Sequence, residues 1–97
     1  MEKRITVQIG GPRPPFDKLA KYLWGAVDYD SDGDSVDPES TNWTELTLTN
    51  RQDETQRIDV DPISEFPLRL VIRSESEELA TKAARFLADE THGHLVE

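Results

Sequence analysis

The apolar residues of this chain recur with a period of two, then at helical spacing, and then with a period of two again. Residues 4–9, RITVQI, place Ile5, Val7 and Ile9 on one side of a predicted strand. From Phe16 onward the apolar positions fall three and four residues apart, as in an amphipathic helix that packs on a sheet. This order restricts the chain to folds that combine helices with a largely antiparallel sheet.

The second half of the chain shows further strand patterns and a second helix pattern. Three segments show the alternation of further strands, and the first two predict a hairpin around RQDET: residues 44–50, 57–60 and 67–74. Ser74 followed by Glu77 is typical of a helix start, and a last short strand is expected at 94–97. With helices near 16–27 and 75–90, the order is βαβββαβ. We expect an α+β two-layer sandwich of ferredoxin-like order, with both helices on one face of a mainly antiparallel sheet. The residues expected to face inward from the strands are Ile5, Val7, Ile9, Leu46, Leu48, Ile58, Val60, Leu68, Leu70 and Ile72.

Length and composition indicate one small domain. The 97 residues suffice for one core, so we expect a single domain at 1–97 with a long acidic loop at 28–43. The chain has no cysteine, which removes disulfides and thiolate chemistry from consideration. Its amino end has no apolar signal region, and no stretch is apolar enough to cross a bilayer. A cytoplasmic location is therefore expected.

The net charge of −9 is concentrated in one segment. Residues 28–45 contain seven carboxylates and no lysine or arginine, so they carry −7 of the total. Nucleic acids and anionic membranes attract basic proteins, and this charge argues against both as partners. The expected partner is instead a basic protein.

Residues 28–39, DYDSDGDSVDPE, also match the pattern D-x-[DN]-x-[DN]-G-x5-E and therefore resemble the calcium loop of EF-hand proteins. The resemblance implies that Gly33 makes the sharp turn of the loop. It also implies these possible calcium ligands: Asp28, Asp30, Asp32, Asp34 and Glu39. Ser35 and Pro38 depart from the usual loop, and the residues downstream favour a strand over the exiting helix. A calcium site therefore remains the alternative to a docking surface.

The acidic stretch is long for a connection, and all the tyrosines and tryptophans of the chain lie in or near it. Aromatic rings beside carboxylates suit a surface rich in arginine and lysine. The predicted partner-binding residues are Asp28, Tyr29, Asp30, Asp32, Asp34, Asp37, Glu39, Trp43 and Glu45. Trp43 is equally suited to covering the core between helix and sheet.

The sequence contains no arrangement of nucleophile, base and acid that would indicate an enzyme. Small, acidic, cysteine-free chains resemble bacterial immunity proteins and other inhibitors of basic nucleases in size and composition. We therefore expect a non-enzymatic inhibitor or immunity protein that neutralises a basic toxin by direct contact. The alternatives are a calcium-binding protein and an accessory structural subunit. If the acidic stretch is not the docking surface, the next candidate is the outer sheet face, lined by Thr47, Thr49, Arg69 and Arg73.

Overall fold

The computed structural model of the chain describes residues 2–25, 28–33, 40–41 and 43–96. In chain order the elements are β1 (Lys3–Gln8), α1 (Phe16–Trp24), β2 (Tyr29–Gly33), β3 (Leu46–Asn50), β4 (Asp53–Glu65), β5 (Leu68–Ser74), α2 (Glu77–Thr91) and β6 (His94–Val96). The order is βαββββαβ, with one strand more than expected. The added strand, β2, occupies part of the stretch predicted to be a loop at 28–43.

All six strands belong to one sheet with the order β2-β3-β4-β5-β1-β6. Every neighbouring pair in this order is antiparallel. The chain is therefore α+β with an antiparallel sheet and two helices, as the periodicity predicted. Because of the added strand, the described elements do not follow the expected ferredoxin-like order. Strand β2 forms one edge of the sheet and β6 forms the other.

The inward face of the sheet carries the residues that the alternation predicted. Eight of the ten are buried, and the other two, Ile5 and Leu68, are partly buried against the same core. Val7 lies opposite Leu70 across the β1–β5 pair, and directly opposed side chains share a face of the sheet. Each fully buried leucine or isoleucine contributes roughly 1.5–3 kcal/mol through the apolar surface removed from water.

Helix α1 begins directly after Pro15, whose ring suits the approach to a first helical turn. Its buried stripe includes Phe16, Leu19 and Leu23, at the spacing the sequence predicted. The helix ends at Trp24 because Gly25 has a φ of 71°, a conformation that side-chain-bearing residues rarely adopt. The last two residues of the predicted span, 26 and 27, lie outside the described residues.

Helix α2 begins at Glu77, two residues later than predicted, and its capping residue is Ser76. Ser76, and not Ser74, accepts a hydrogen bond from the backbone amide of Leu79 at 3.3 Å. Ser74 is instead the buried last residue of β5, and its hydroxyl donates to the carbonyl of Arg57 at 2.6 Å. The helix ends at Thr91, and His92 takes the left-handed conformation that glycine usually supplies at a helix end. No helix in the described part of the chain is long and apolar enough to cross a bilayer.

Candidate functional site

The acidic stretch begins as the edge strand of the sheet. Strand β2 pairs with β3 on one side, and among the described residues no strand lies on its other side. Asp30 lies opposite Thr49 and Asp32 opposite Thr47, so these two carboxylates share the outer face of the sheet. Asp28 directly precedes the strand, and all three side chains are exposed. We call Asp28, Asp30 and Asp32 the acidic edge.

Tyr29 anchors the acidic edge to the body of the domain. Its ring packs partly buried against the core, and its hydroxyl donates to Asp17 Oδ1 on α1 at 2.9 Å. Burial, followed by the hydrogen bond to Asp17, raises the pKa of Tyr29 to about 12. The hydrogen bond from Tyr29, supported by Lys21, lowers the pKa of the Asp17 carboxyl. This predicted partner-binding residue therefore has a structural contact that positions the strand.

Arg51 is the counter-ion of the acidic edge. Its guanidinium reaches Asp30 from Nη2 at 2.6 Å and Asp28 from Nη1 at 3.1 Å. The hydrogen bond to Asp30 and the charges of both carboxylates raise the pKa of Arg51. All three side chains are exposed, so these ion pairs contribute little to stability. The site therefore accepts a guanidinium group between two carboxylates without burying it.

Gly33 ends β2 where two backbone segments approach closely. A Cβ atom at this position would lie 2.1 Å from the carbonyl oxygen of Glu45, and the φ of Gly33 is 154°. Only glycine fits there. The glycine expected to turn a calcium loop instead lets β2 pass against the exposed Glu45 at the start of β3.

The predicted calcium ligands are only partly described. Asp30 and Asp32 project from an extended strand, and Asp28 and Asp30 share Arg51 as a counter-ion. Asp34 and Glu39 lie outside the described residues, as does Asp37 of the predicted docking set. Within the described ranges, no group of three or more histidine, cysteine, aspartate or glutamate side chains is placed to hold a metal ion.

Trp43 lies in the core and is 1% exposed. Its indole Nε1 donates to the carbonyl of Pro14 at 2.8 Å, and its own carbonyl accepts from Arg13 Nε at 2.8 Å. The backbone amide of Arg13 also donates to the carbonyl of Thr41 at 3.0 Å. Trp43 therefore joins the end of the acidic stretch to the proline-rich segment before α1, residues 10–15. A buried ring cannot contact a partner, so the structure favours the core role of Trp43 over the predicted anchor role.

The outer face of the sheet presents polar side chains that are largely paired with one another. Arg73 donates to Asp61 at 2.5 Å, and this hydrogen bond raises the pKa of Arg73. Arg69 donates to Gln8 Oε1 at 3.1 Å, and Thr47 donates to Asp59 at 2.7 Å. These contacts between neighbouring strands, of which Arg73–Asp61 is an ion pair, occupy much of this second candidate surface.

The sequence analysis did not identify an exposed apolar tip. At the β4–β5 turn, Phe66 is 93% exposed and Ile63 is 57% exposed. The sequence signal was the FP pair between two strands, because proline interrupts a strand and the residue before it lies in the turn. None of the described residues that the sequence predicted to be functional lies at this tip.

Comparisons with known proteins add no relative. No family model matches the chain, and neither a curated protein nor a solved structure matches it. The functional argument therefore depends on the geometry of the chain itself.

Proposed function

We propose that this chain is a non-enzymatic acidic binding protein that neutralises a basic protein, as an inhibitor or immunity protein of a basic toxin such as a nuclease. The observation that supports it best is the acidic edge, which places three exposed carboxylates on, or directly before, the strand at the margin of the sheet. Three more carboxylates, Asp34, Asp37 and Glu39, follow within the seven residues after Asp32 in the sequence. A concentrated negative surface attracts a basic partner over distance and raises its association rate.

The way Arg51 is held supports arginine as the group recognised. An arginine of the partner could replace Arg51 between Asp28 and Asp30 with the same contacts. The exchange would lose little, because the ion pairs that it breaks are exposed to water. At the same time the partner would gain the charges of Asp32 and of the residues that follow. The docking surface therefore centres on the acidic edge and excludes Trp43.

The remaining parts of the proposal are consistent with this role. Both helices and the inward face of the sheet contribute to one apolar cluster, from which we infer a two-layer sandwich. We infer that the outer sheet face, whose polar side chains are largely paired with one another, extends the contact. The absence of cysteine suits a cytoplasmic location, where an immunity protein would meet its toxin.

No structural observation favours the two alternatives. For calcium to bind at the acidic edge, it would have to displace Arg51 and bring ligands from an extended strand into a compact shell of six to eight oxygens. An accessory structural subunit would be expected to offer an extended apolar face, whereas the outer strand face here is polar.

Co-expression with the neighbouring gene product tests the proposal. We expect the reading frame beside this one in the source genome to encode a basic toxin, whose production arrests growth unless this chain is also produced. The double variant Asp30→Asn/Asp32→Asn should protect less well. The matched control Glu78→Gln/Asp89→Asn removes two charges from α2, which lies over β1, β5 and β6, and should protect fully. Equal protection by both variants, or no protection by the wild type, would contradict the proposal.

A further inference from the structure

The β4–β5 hairpin extends beyond β3, while β1 accompanies it on the other side as far as the Ile9–Leu68 hydrogen bond. Pairing between β3 and β4 ends at Leu46 opposite Val60, whereas β4 and β5 remain paired as far as Glu65 opposite Leu68. We call residues 61–69 the arm. Its turn carries Phe66, which has the largest exposed fraction among the large hydrophobic side chains of the described residues. An exposed aromatic side chain is the kind of residue that anchors protein interfaces.

An open cavity beside the arm, next to its turn, has apolar lining residues that could receive such a ring. It has a volume of about 530 Å³, and its lining includes Ile9, Pro12 and Leu68. Leu68 is only two residues from Phe66, yet the exposure of Phe66 shows that the ring does not fill this cavity in its own chain. The cavity is formed where β1 ends, since the amide of Ile9 donates to the carbonyl of Leu68 at 2.8 Å.

We propose that two copies of this chain associate by exchanging these parts, so that Phe66 of each copy occupies the cavity of the other. A tip and a cavity on the same arm are self-complementary, and a two-fold axis between two antiparallel arms satisfies both contacts at once. The local charges agree with this arrangement. The tip carries the exposed carboxylate of Glu65, and Arg13 is the charged residue of the cavity lining.

The net charge makes this dimer weak and gives it a characteristic salt dependence. Each copy carries −9, and bringing two copies together is opposed by long-range repulsion that one Glu65–Arg13 contact per arm does not offset. Added salt screens this repulsion, while the burial of Phe66 is not weakened. Self-association should therefore tighten as salt rises. Binding to a basic partner should weaken under the same change, which separates this proposal from the proposed function.

Sedimentation velocity on the purified chain tests the proposal. Between about 10 μM and about 1 mM protein, we expect the average mass to rise from monomer toward dimer, and to rise further at high salt. Phe66→Ala should weaken association by about tenfold or more, because the apolar surface buried at each tip is lost. The matched control Tyr22→Ala also removes an exposed aromatic ring, one that stacks on Phe86, and should leave association unchanged.

Changing the cavity tests the proposal independently. Thr41 is an exposed residue of the cavity lining, and Thr41→Trp should fill the cavity and weaken association while Phe66 is intact. In a sample that mixes labelled and unlabelled copies, nuclear Overhauser effects should connect the Phe66 ring of one copy with the Leu68 methyls of another. A monomer throughout the concentration range, or a dimer that Phe66→Ala and Thr41→Trp leave intact, would overturn the proposal.

Discussion

Replacing Trp43 by alanine tests whether this residue holds the fold together or faces a partner. The ring is 1% exposed, and its Nε1 donates to the carbonyl of Pro14. The carbonyl of Trp43 and that of Thr41 both accept from Arg13. Trp43 therefore closes a set of contacts that joins the end of the acidic stretch to the segment before α1.

The expected loss of stability follows from these contacts. Removing a buried tryptophan side chain costs roughly 3–5 kcal/mol, through lost burial and the cavity left behind. The carbonyl of Pro14 also loses its buried donor, which adds about 1 kcal/mol or more unless water enters. Small domains have unfolding free energies of about 5–15 kcal/mol, so Trp43→Ala should remove a large part of the stability of this domain. Trp43→Phe should lose less, because most of the ring volume remains.

Urea denaturation followed by circular dichroism measures these differences. The control is Phe66→Ala, which removes an exposed aromatic ring and should change the free energy of unfolding by no more than about 0.5 kcal/mol. If Trp43→Ala kept the stability of the wild type, the tryptophan would not be a core residue. The interface role predicted from sequence would then have to be reinstated.

Three further predictions concern strand β2 and the end of helix α2. Because the folded pKa of Tyr29 is raised to about 12 from an ordinary value of about 10, its stabilising effect is complete below pH 10 and is lost between pH 10 and pH 12. Tyr29→Phe should remove that part of the pH dependence of unfolding, and an unchanged profile would contradict the contact with Asp17. Gly33→Ala should lower the free energy of unfolding by about 1–3 kcal/mol, since the new methyl group would meet the carbonyl of Glu45; amide exchange in β2 at the wild-type rate would argue against this close approach. His92→Gly should raise the melting temperature, because it relieves a left-handed residue with a φ of 55°, worth about 0.5–1 kcal/mol, and a fall would contradict the assigned helix end.

The elements that bury apolar residues at regular spacing were predictable from sequence. The inward set of the sheet and the helical apolar stripe that begins at Phe16 are confirmed among the described residues, because burial imposes periods of two and of about 3.6. Strand β2 was not predictable in this way, since aspartate, serine and glycine have low strand propensity. What makes YDSDG a strand is tertiary: its pairing with β3 and the anchoring of Tyr29 on Asp17.

The site was harder to predict than the fold, because the chemistry of single residues leaves their placement open. Tryptophan suits both a core and an interface, and only the structure distinguishes the two roles for Trp43. Serine is a common capping residue, so the sequence allows either Ser74 or Ser76 to cap α2. The buried hydroxyl of Ser74 instead donates to the carbonyl of Arg57. Arg51 lies far from Asp28 and Asp30 in sequence, so its role as their counter-ion depends on the β2–β3 pairing. Phe66 belongs to no periodic apolar pattern, and its exposure follows from its place in a turn.

The central claim is that the acidic edge attracts a basic partner through its charge. The most direct test is the association rate constant with the basic protein that we expect to be encoded beside this chain, measured by stopped flow as a function of ionic strength. Asp30→Asn/Asp32→Asn should slow association by about tenfold at low salt, and Arg51→Ala should accelerate it, because one removes and the other unmasks negative charge. All rates should converge as the screening length shortens. Rates that do not respond to either variant at low salt would contradict the claim and would place the contact on another face.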